Sequence, residues 1–346
     1  MENRFNKRQS NFELLRIIAM LLIVMHHAVM YNGTSFSGFG SKFNRILMLG
    51  GKLGVDIFVL ISAYFMVDKN FKFSRIINLI IQTTFYSLLI YVLFCCLGLE
   101  KFTFKDFLQS SVFACFTRYG FITNYLLLLL ISPLLNIVIK NLTQKQYGII
   151  CLFIFGVVLF PYIWHCLFNE YMNFPSISYF SFFICLYFIA GYIKKYGVGL
   201  SNKQVIWLLC LFIIFQVSTV FSTIREVDTI FALGNTMISI LLLVVFKNFN
   251  FQSKFINRVS SHTLGVYLIH EHYCIRAFWW KYFFGLIPFS SKWGYFGMVI
   301  LAVVVTFIIC EIIDLLREVT VHKLYVSICN KIDKKRQEKV EQSGLQ

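Results

Sequence analysis

The stretch NFELLRIIAMLLIVMHHAVM, residues 11–30, is long and apolar enough to cross a membrane as one helix. At a rise of about 1.5 Å per residue, about 20 residues span the roughly 30 Å hydrocarbon core of a bilayer. Comparable runs recur along the chain, in which 58% of residues are hydrophobic and 14% are charged. Soluble domains have about 45–50% apolar and about 25% charged residues. The sequence therefore predicts an all-α fold, a polytopic membrane helix bundle.

The apolar runs predict about ten transmembrane helices in a single membrane domain over residues 1–346. The spanning region is expected at about 12–315 and a basic cytoplasmic tail at about 316–346. The predicted helices are 12–32, 47–67, 76–98, 121–140, 147–166, 176–194, 204–222, 229–247, 263–282 and 293–315. The first run lacks a small-residue cleavage site, which favours a retained helix over a signal peptide.

The basic residues predict the orientation. With the N-terminus inside, the inner segments carry 21 Lys and Arg residues, the outer segments carry 8, and three lie within or beside helices, which accounts for all 32. An excess of Lys and Arg in cytoplasmic loops sets membrane topology, so both termini are expected in the cytoplasm. The net charge of +16 is therefore interpreted as a topology signal, and no nucleic-acid partner is expected.

Two further patterns concern the cysteines and the longest outer loop. The 10 cysteines lie mostly in apolar runs without CxxC or Cys/His spacing, so neither a disulfide framework nor a metal site is expected. In the loop 99–120, Thr103 and Asp106 have the spacing of a helix-capping pair before an apolar run. This spacing predicts a short helix, and one that lies at the membrane interface is a natural candidate.

Polar residues inside predicted helices need a reason, because a charge at the bilayer centre costs about 2.5–3.5 kcal/mol on insertion scales. In the first helix, Glu13 and Arg16 are three residues apart and can pair. His27 lies eleven residues beyond Arg16, about three turns and roughly 16 Å along the same face. Arg16 as a snorkelling cation and His27 as a packing hydrogen bond remain open alternatives.

The second helix adds Asp56, which is predicted in the same half of the membrane as His27. Asp56 is expected to pair with His27 and to fix the tautomer of its imidazole. Ser62 and Tyr64 lie deeper along this helix. Lys72 and Arg75 follow at the cytoplasmic mouth, either as ordinary flanking charges or as a fork for phosphate groups.

The ninth helix carries His270, Glu271 and His272 in succession near the midplane. Consecutive residues of a continuous helix fan over about 200°, so they cannot all face one cavity. His270 is the preferred site residue because Tyr267 lies three residues before it, and the other two are expected to pack against neighbours. These polar groups alone leave proton-coupled transport and catalysis at membrane depth open, with a signalling or scaffold protein as a third alternative.

The same residues carry a family resemblance over most of the chain. ELLRIIAMLLIVMHHA resembles the first helix of the acyltransferase 3 family, integral membrane O-acyltransferases of the bacterial cell envelope, in which an Arg is followed eleven positions later by an essential His. GVDIFVLISAYFMV resembles the family's GxDxFFxLSGYF segment, with Ala63 where Gly is usual, and KFSR resembles its RxxR element, with Lys72 in place of Arg. The segments 124–136, 187–192 and 261–270 resemble later family segments in the same order.

Membership in this family implies an acyl-CoA co-substrate, usually acetyl-CoA, and a hydroxyl acceptor on an envelope glycan or lipid-linked sugar. His27, steadied by Asp56, would act as general base. Arg16 would hold a phosphate or polarise the thioester, and Tyr64 or Ser62 would donate to the oxyanion. A covalent acyl-His27 intermediate stays open.

The remaining assignments follow from the same resemblance. Lys72 and Arg75 would bind the CoA phosphates. The plasma membrane and its lipids are the expected surroundings, and no metal is expected. A sugar or polysaccharide-precursor transporter is the principal alternative.

Overall fold

The computed structural model describes residues 8–31, 39–67, 69–168, 179–221, 227–286 and 292–322. Their helices are α1 Ser10–Tyr31, α2 Phe39–Met66, α3 Phe73–Cys96, α4 Phe104–Ser110, α5 Ala114–Thr117, α6 Gly120–Asn141, α7 Gln144–Phe168, α8 Tyr179–Tyr196, α9 Asn202–Phe221, α10 Val227–Lys247, α11 Lys254–Ser260, α12 Thr263–His270, α13 Tyr273–Leu286 and α14 Lys292–Arg317, followed by a π-helical turn Glu318–His322. No β-strand occurs among these residues. The predicted all-α polytopic bundle is therefore confirmed.

Six described helices are long and apolar enough to cross a membrane: Ser10–Tyr31, Lys42–Met66, Phe73–Cys96, Gly120–Asn141, Asn202–Phe221 and Gly294–Val321. Eight of the predicted helices match α1, α3, α6, α7, α8, α9, α10 and α14 within a few residues. The predicted helix 47–67 begins earlier, at Phe39 in α2, and α11 was not predicted. The predicted tail beyond residue 322 and the N-terminal residues 1–7 lie outside the described residues.

The predicted helix 263–282 is wrong as one continuous element. It is interrupted after His270, where Glu271 caps α12 and the chain restarts as α13 at Tyr273. The amide of Glu271 still donates to the carbonyl of Tyr267, whereas the amide of His272 donates to the carbonyl of Ile269, three residues back. This change from an i−4 to an i−3 hydrogen bond tightens the backbone where α12 ends.

Helix α1 occupies the centre of the bundle and packs against α2, α10, α11, α12, α13 and α14. The contact with α2 is especially close, because Gly50 and Gly54 present no side chain. A Cβ on Gly50 would lie 2.7 Å from the carbonyl oxygen of Leu22, and one on Gly54 would lie 2.5 Å from that of Ala19. Small residues four apart let membrane helices approach in this way. The close approach fixes α1, and therefore His27, against α2.

The two ends of the bundle differ in charge. At what we call the basic end, Lys194 donates to the carbonyl of Val67, Lys195 to that of Ile139 and Lys247 to that of Ile193. These lysines satisfy carbonyl groups at the ends of helices, where backbone acceptors lack partners. Arg8 and Lys72 also lie at this end, just before the starts of α1 and α3.

The opposite end carries α4 and α5, which we call the loop end (residues 99–119). The hydroxyl of Thr103 accepts from the amide of Asp106 at 3.0 Å, which confirms the predicted capping pair. Arg118 donates to Asp106 at 2.7 Å, and the Thr103 hydroxyl donates to the same carboxylate at 2.6 Å. These bonds, led by that from Thr103, hold the pKa of Asp106 below its ordinary value. The loop is thus an ordered structure of two short helices.

A candidate active site on the central helix

His27 lies near the end of α1, where its imidazole contacts two residues distant in the sequence. Its Nδ1 lies 3.0 Å from Nε2 of His270 and 3.1 Å from Oε2 of Glu271. The His270 side chain is fully buried, and the side chains of His27 and Glu271 are each 13% exposed. We call His27, His270 and Glu271 the His–His–Glu cluster.

The hydrogen bonds define the tautomer of His27. Nδ1 of His270 lies 2.6 Å from the carbonyl oxygen of Val266, and a carbonyl only accepts, so this nitrogen carries the proton. Nε2 of a neutral His270 is then an acceptor, and Nδ1 of His27 must be the donor to it. The lone pair of His27 is consequently on Nε2, the nitrogen able to take a proton from a substrate.

His270 and Glu271 reach the same nitrogen of His27 from adjacent positions at the end of α12. Two adjacent helical residues fan over only about 100°, so both side chains can reach Nδ1 of His27. Arg276, on the first turn of α13, donates to Oε1 of Glu271 at 2.9 Å and to the hydroxyl of Tyr31 at 3.3 Å. This contact directs the other carboxylate oxygen toward His27.

A cavity near the cluster has a volume of ≈ 220 Å³ and runs along one face of α1. Arg8 and Arg16 line it toward the basic end, and Ile23 and Tyr267 line it toward the His–His–Glu cluster. Ile23 precedes His27 by one helical turn, about 6 Å along the axis. A substrate in this cavity therefore has cations at one end and His27 just beyond the other.

Arg16 is paired as predicted from the sequence. It donates to Oε2 of Glu13 at 2.6 Å, and Arg8 approaches the same oxygen at 3.5 Å. Ser260 also donates to this carboxylate. One Glu13 carboxylate therefore holds both guanidinium groups at the basic end of the cavity.

The predicted pairing of Asp56 with His27 is wrong. Both Asp56 oxygens lie 2.9 Å from Nζ of Lys52, and Thr236 donates to one of them at 3.1 Å. Lys52 is one helical turn before Asp56 on α2, so a local partner was available that the sequence interpretation had assigned to no role. The ammonium group of Lys52 also lies 3.6 Å from the centre of the Phe182 ring. Asp56 is 1% exposed and anchors α2 to α10.

Four other predicted site residues divide between the cavity and its surroundings. Ser62 lines the cavity, whereas Tyr64 is not among its described lining residues and stacks on Phe12 with ring centres 5.0 Å apart. Lys72 and Arg75 line a separate pocket of only ≈ 20 Å³ at the basic end, together with Lys69 and Asn136. The cavity lining thus includes Arg16, Ser62 and Tyr267, whereas neither His27, one helical turn beyond Ile23, nor Tyr64 is among the described lining residues.

The sequence profile described as "Acyltransferase domain" (Acyl_transf_3) matches residues 9–314. The chain belongs to the acyltransferase 3 family. No curated protein and no solved structure matches it. The match covers nearly the whole chain, and together with the apolar helices it makes the protein a multi-pass membrane acyltransferase.

Glu271 is the neighbour of His27 that the sequence interpretation missed. A carboxylate in an apolar segment signals an interaction that offsets its burial, and that signal was visible. The sequence interpretation chose His270 alone because three consecutive helical residues fan over about 200°. Two adjacent residues fan over only about 100°, so periodicity did not exclude Glu271 beside His270.

Proposed function

We propose that this acyltransferase moves an acetyl group from cytosolic acetyl-CoA to a hydroxyl group of an envelope glycan or a lipid-linked sugar in the plasma membrane. The observation that carries the proposal is the position of His27. Its Nε2 lone pair belongs to an imidazole held by the buried His270 and Glu271, one helical turn beyond a cavity with two arginines at its other end. The acceptor class comes from the family resemblance alone.

The cavity suits a thioester donor with a charged head and a long apolar arm. The phosphates would lie beside Arg8 and Arg16, and the pantetheine arm would follow α1 toward His27. Arg16 is about 16 Å from His27 along the helix, too far to reach a thioester carbonyl there, which favours phosphate binding over carbonyl polarisation. Ser62 comes eight residues after Gly54, which contacts Ala19 on the antiparallel α1, so Ser62 lies near the level of Arg16 and is similarly distant from His27. Tyr64 is packed on Phe12. Neither residue is therefore placed to donate to an oxyanion formed beside His27.

The reaction follows from the tautomer of His27. As the acceptor oxygen attacks the thioester carbonyl, Nε2 of His27 takes the hydroxyl proton, and the resulting imidazolium then protonates the CoA thiolate as the C–S bond breaks. The negative charge of Glu271, 3.1 Å from Nδ1, stabilises the imidazolium, and the hydrogen bond to His270 fixes the ring orientation. Glu271 is therefore a positioning residue in this proposal, and His27 is the catalytic base.

The first experiment uses the purified full-length protein in liposomes with radiolabelled acetyl-CoA, with and without a crude envelope-glycan fraction. Glycan-dependent CoA release is expected from the native protein. His27→Ala should reduce it by about 10²–10⁴-fold while acetyl-CoA binding persists. Absence of acetyl-CoA binding by the folded native protein would refute the CoA-dependent reaction and favour a different donor.

Donor binding is tested at the two basic sites separately. Arg16→Gln is expected to raise the KM for acetyl-CoA more than it lowers kcat, because its contact with phosphate is the same in ground and transition states. The double variant Lys72→Gln/Arg75→Gln should raise the KM for acetyl-CoA less than Arg16→Gln does, because Lys72 and Arg75 line a separate pocket and not the cavity. Lys203→Gln, an exposed lysine at the start of α9, is the matched control and should leave KM unchanged. An unchanged KM in Arg16→Gln would contradict this placement of the donor.

A further inference from the structure

The His–His–Glu cluster has a feature that the proposed acyl transfer does not use. Oε2 of Glu271 is buried and has no hydrogen-bond partner among the described residues, although it lies 3.1 Å from Nδ1 of His27. The Nδ1–H of His27 is directed at His270 instead. A buried carboxylate oxygen without a donor is costly and indicates that the arrangement suits another positively charged partner.

We propose that His27, His270 and Glu271 form a binding site for a divalent transition-metal ion, with Zn²⁺ as the best match, and that the bound ion inhibits acyl transfer. Each residue offers one ligand atom, and the three atoms lie within 4.8 Å of one another. Zinc bonds of about 2.0–2.1 Å place neighbouring tetrahedral ligand atoms about 3.3 Å apart. The separations from His27, 3.0 and 3.1 Å, are close to that spacing.

The surroundings of the cluster resemble those that orient metal ligands. Nδ1 of His270 donates to a backbone carbonyl, which leaves Nε2 with its lone pair toward the site. Arg276 binds Oε1 of Glu271 and leaves Oε2 toward the site. Two nitrogens and one oxygen suit Zn²⁺ rather than Mg²⁺ or Ca²⁺, which prefer oxygen ligands. A water molecule or substrate oxygen would complete the tetrahedron.

Inhibition follows from the two nitrogens of His27. Coordination through Nδ1 requires its lone pair there, so the ring proton moves to Nε2 and no proton is released from the neutral imidazole. Nε2 can then no longer accept the hydroxyl proton of the acceptor. The inhibitory effect therefore rests on the proposed function, whereas metal binding itself does not.

The test uses full-length protein in lipid nanodiscs and measures binding of Zn²⁺ by calorimetry and of Co²⁺ by the visible absorption of tetrahedral Co²⁺. The native protein should bind one equivalent with a tetrahedral spectrum, and His270→Gln and Glu271→Gln should each bind at least about tenfold more weakly. His26→Gln is the matched control, because His26 is adjacent to His27 but binds the carbonyl of Met48. Native-like binding is expected in that variant.

A second measurement avoids variants that fold poorly. Zn²⁺ should protect His27 of the native protein from carbethoxylation, read out residue by residue by mass spectrometry, and a chelator should restore the modification.

Absence of a tetrahedral Co²⁺ spectrum, or equal loss of binding in His26→Gln, overturns the metal site. Binding without inhibition of acetyl-CoA turnover retains the site and overturns the inhibitory role. If the protein shows no acyl transfer at all, binding and protection still decide whether the site exists.

Discussion

At the scale of single residues, the orientation of one imidazole connects packing to chemistry. The carbonyl of Val266 fixes the proton of His270, His270 fixes that of His27, and the lone pair on Nε2 of His27 results. This chain of hydrogen bonds joins Val266 and His270, which are four positions apart, to His27, which is more than 200 positions away in the sequence. It accounts for how a neutral histidine within an apolar bundle can serve as a base for one substrate proton.

Glu271→Gln tests the carboxylate in this arrangement. The amide can donate to Nδ1 of His27 and so favour the tautomer with the proton on Nε2, which removes the base. We expect kcat to fall by about 10²-fold or more while the KM for acetyl-CoA changes little. Steady-state kinetics in liposomes provides the measurement.

Two controls separate positioning from a structural role. Glu271→Asp keeps the negative charge and should recover part of the lost kcat. If Glu271 were needed only for folding, both variants would instead show a lower yield of protein and a lower thermal unfolding temperature. Asp56→Asn tests the partner that the sequence had suggested. If it lowered kcat selectively and Glu271→Gln did not, the assignment made from the contacts of His27 would be reversed.

At the scale of secondary-structure elements, most of the fold was predictable because hydrophobic length alone defines a membrane helix. The bounds of α1, α3 and α10 follow directly from their apolar runs. The site was less predictable. Helical periodicity predicts the face shared by Arg16 and His27. It does not predict the partners of His27, because His270 and Glu271 are more than 200 positions away and meet His27 only through the packing of α12 on α1.

The glycine contact between α1 and α2 gives an element-scale prediction. Gly54→Leu adds a side chain where a Cβ would already lie 2.5 Å from the carbonyl of Ala19 and 2.7 Å from Ile23. Overpacking typically costs about 1–3 kcal/mol, and contact with backbone atoms makes relief difficult. We expect a lower thermal unfolding temperature and loss of activity through displacement of α1. Gly156→Leu, where an added Cβ meets nothing within 4 Å, is the matched control and should unfold like the native protein.

The loop end supplies a prediction about pH. The pKa of Asp106 is lower in the folded protein than in the unfolded chain, so its contribution to stability is present above its unfolded pKa of about 3.9 and is lost as the pH falls through the folded value. Asp106→Asn should imitate that loss at neutral pH and speed amide hydrogen exchange in residues 104–117. Lys105→Gln, its exposed neighbour, should not. Equal exchange in Asp106→Asn and native protein would mean that the hydrogen bonds of Asp106 do not hold α4 in place.

At the scale of the whole molecule, the proposed reaction needs the basic end, with Arg8 and Arg16 at its cavity, to face the cytosol, where CoA is found. The excess of Lys and Arg in the segments at this end predicts that orientation.

The orientation can be measured in a protein whose 10 native cysteines are replaced and that carries one new cysteine. The new cysteine replaces either Asn70, an exposed residue of the basic end, or Lys101, an exposed residue of the loop end. In intact cells, a membrane-impermeant thiol reagent should label the cysteine at 101 and reach the one at 70 only after the membrane is opened. The reverse pattern would place the cavity's arginines outside the cell, away from any CoA, and the donor would then have to enter from the loop end or be a different acyl carrier. The experiment therefore tests the direction of acyl transfer without depending on the number of helices or on the identity of the acceptor.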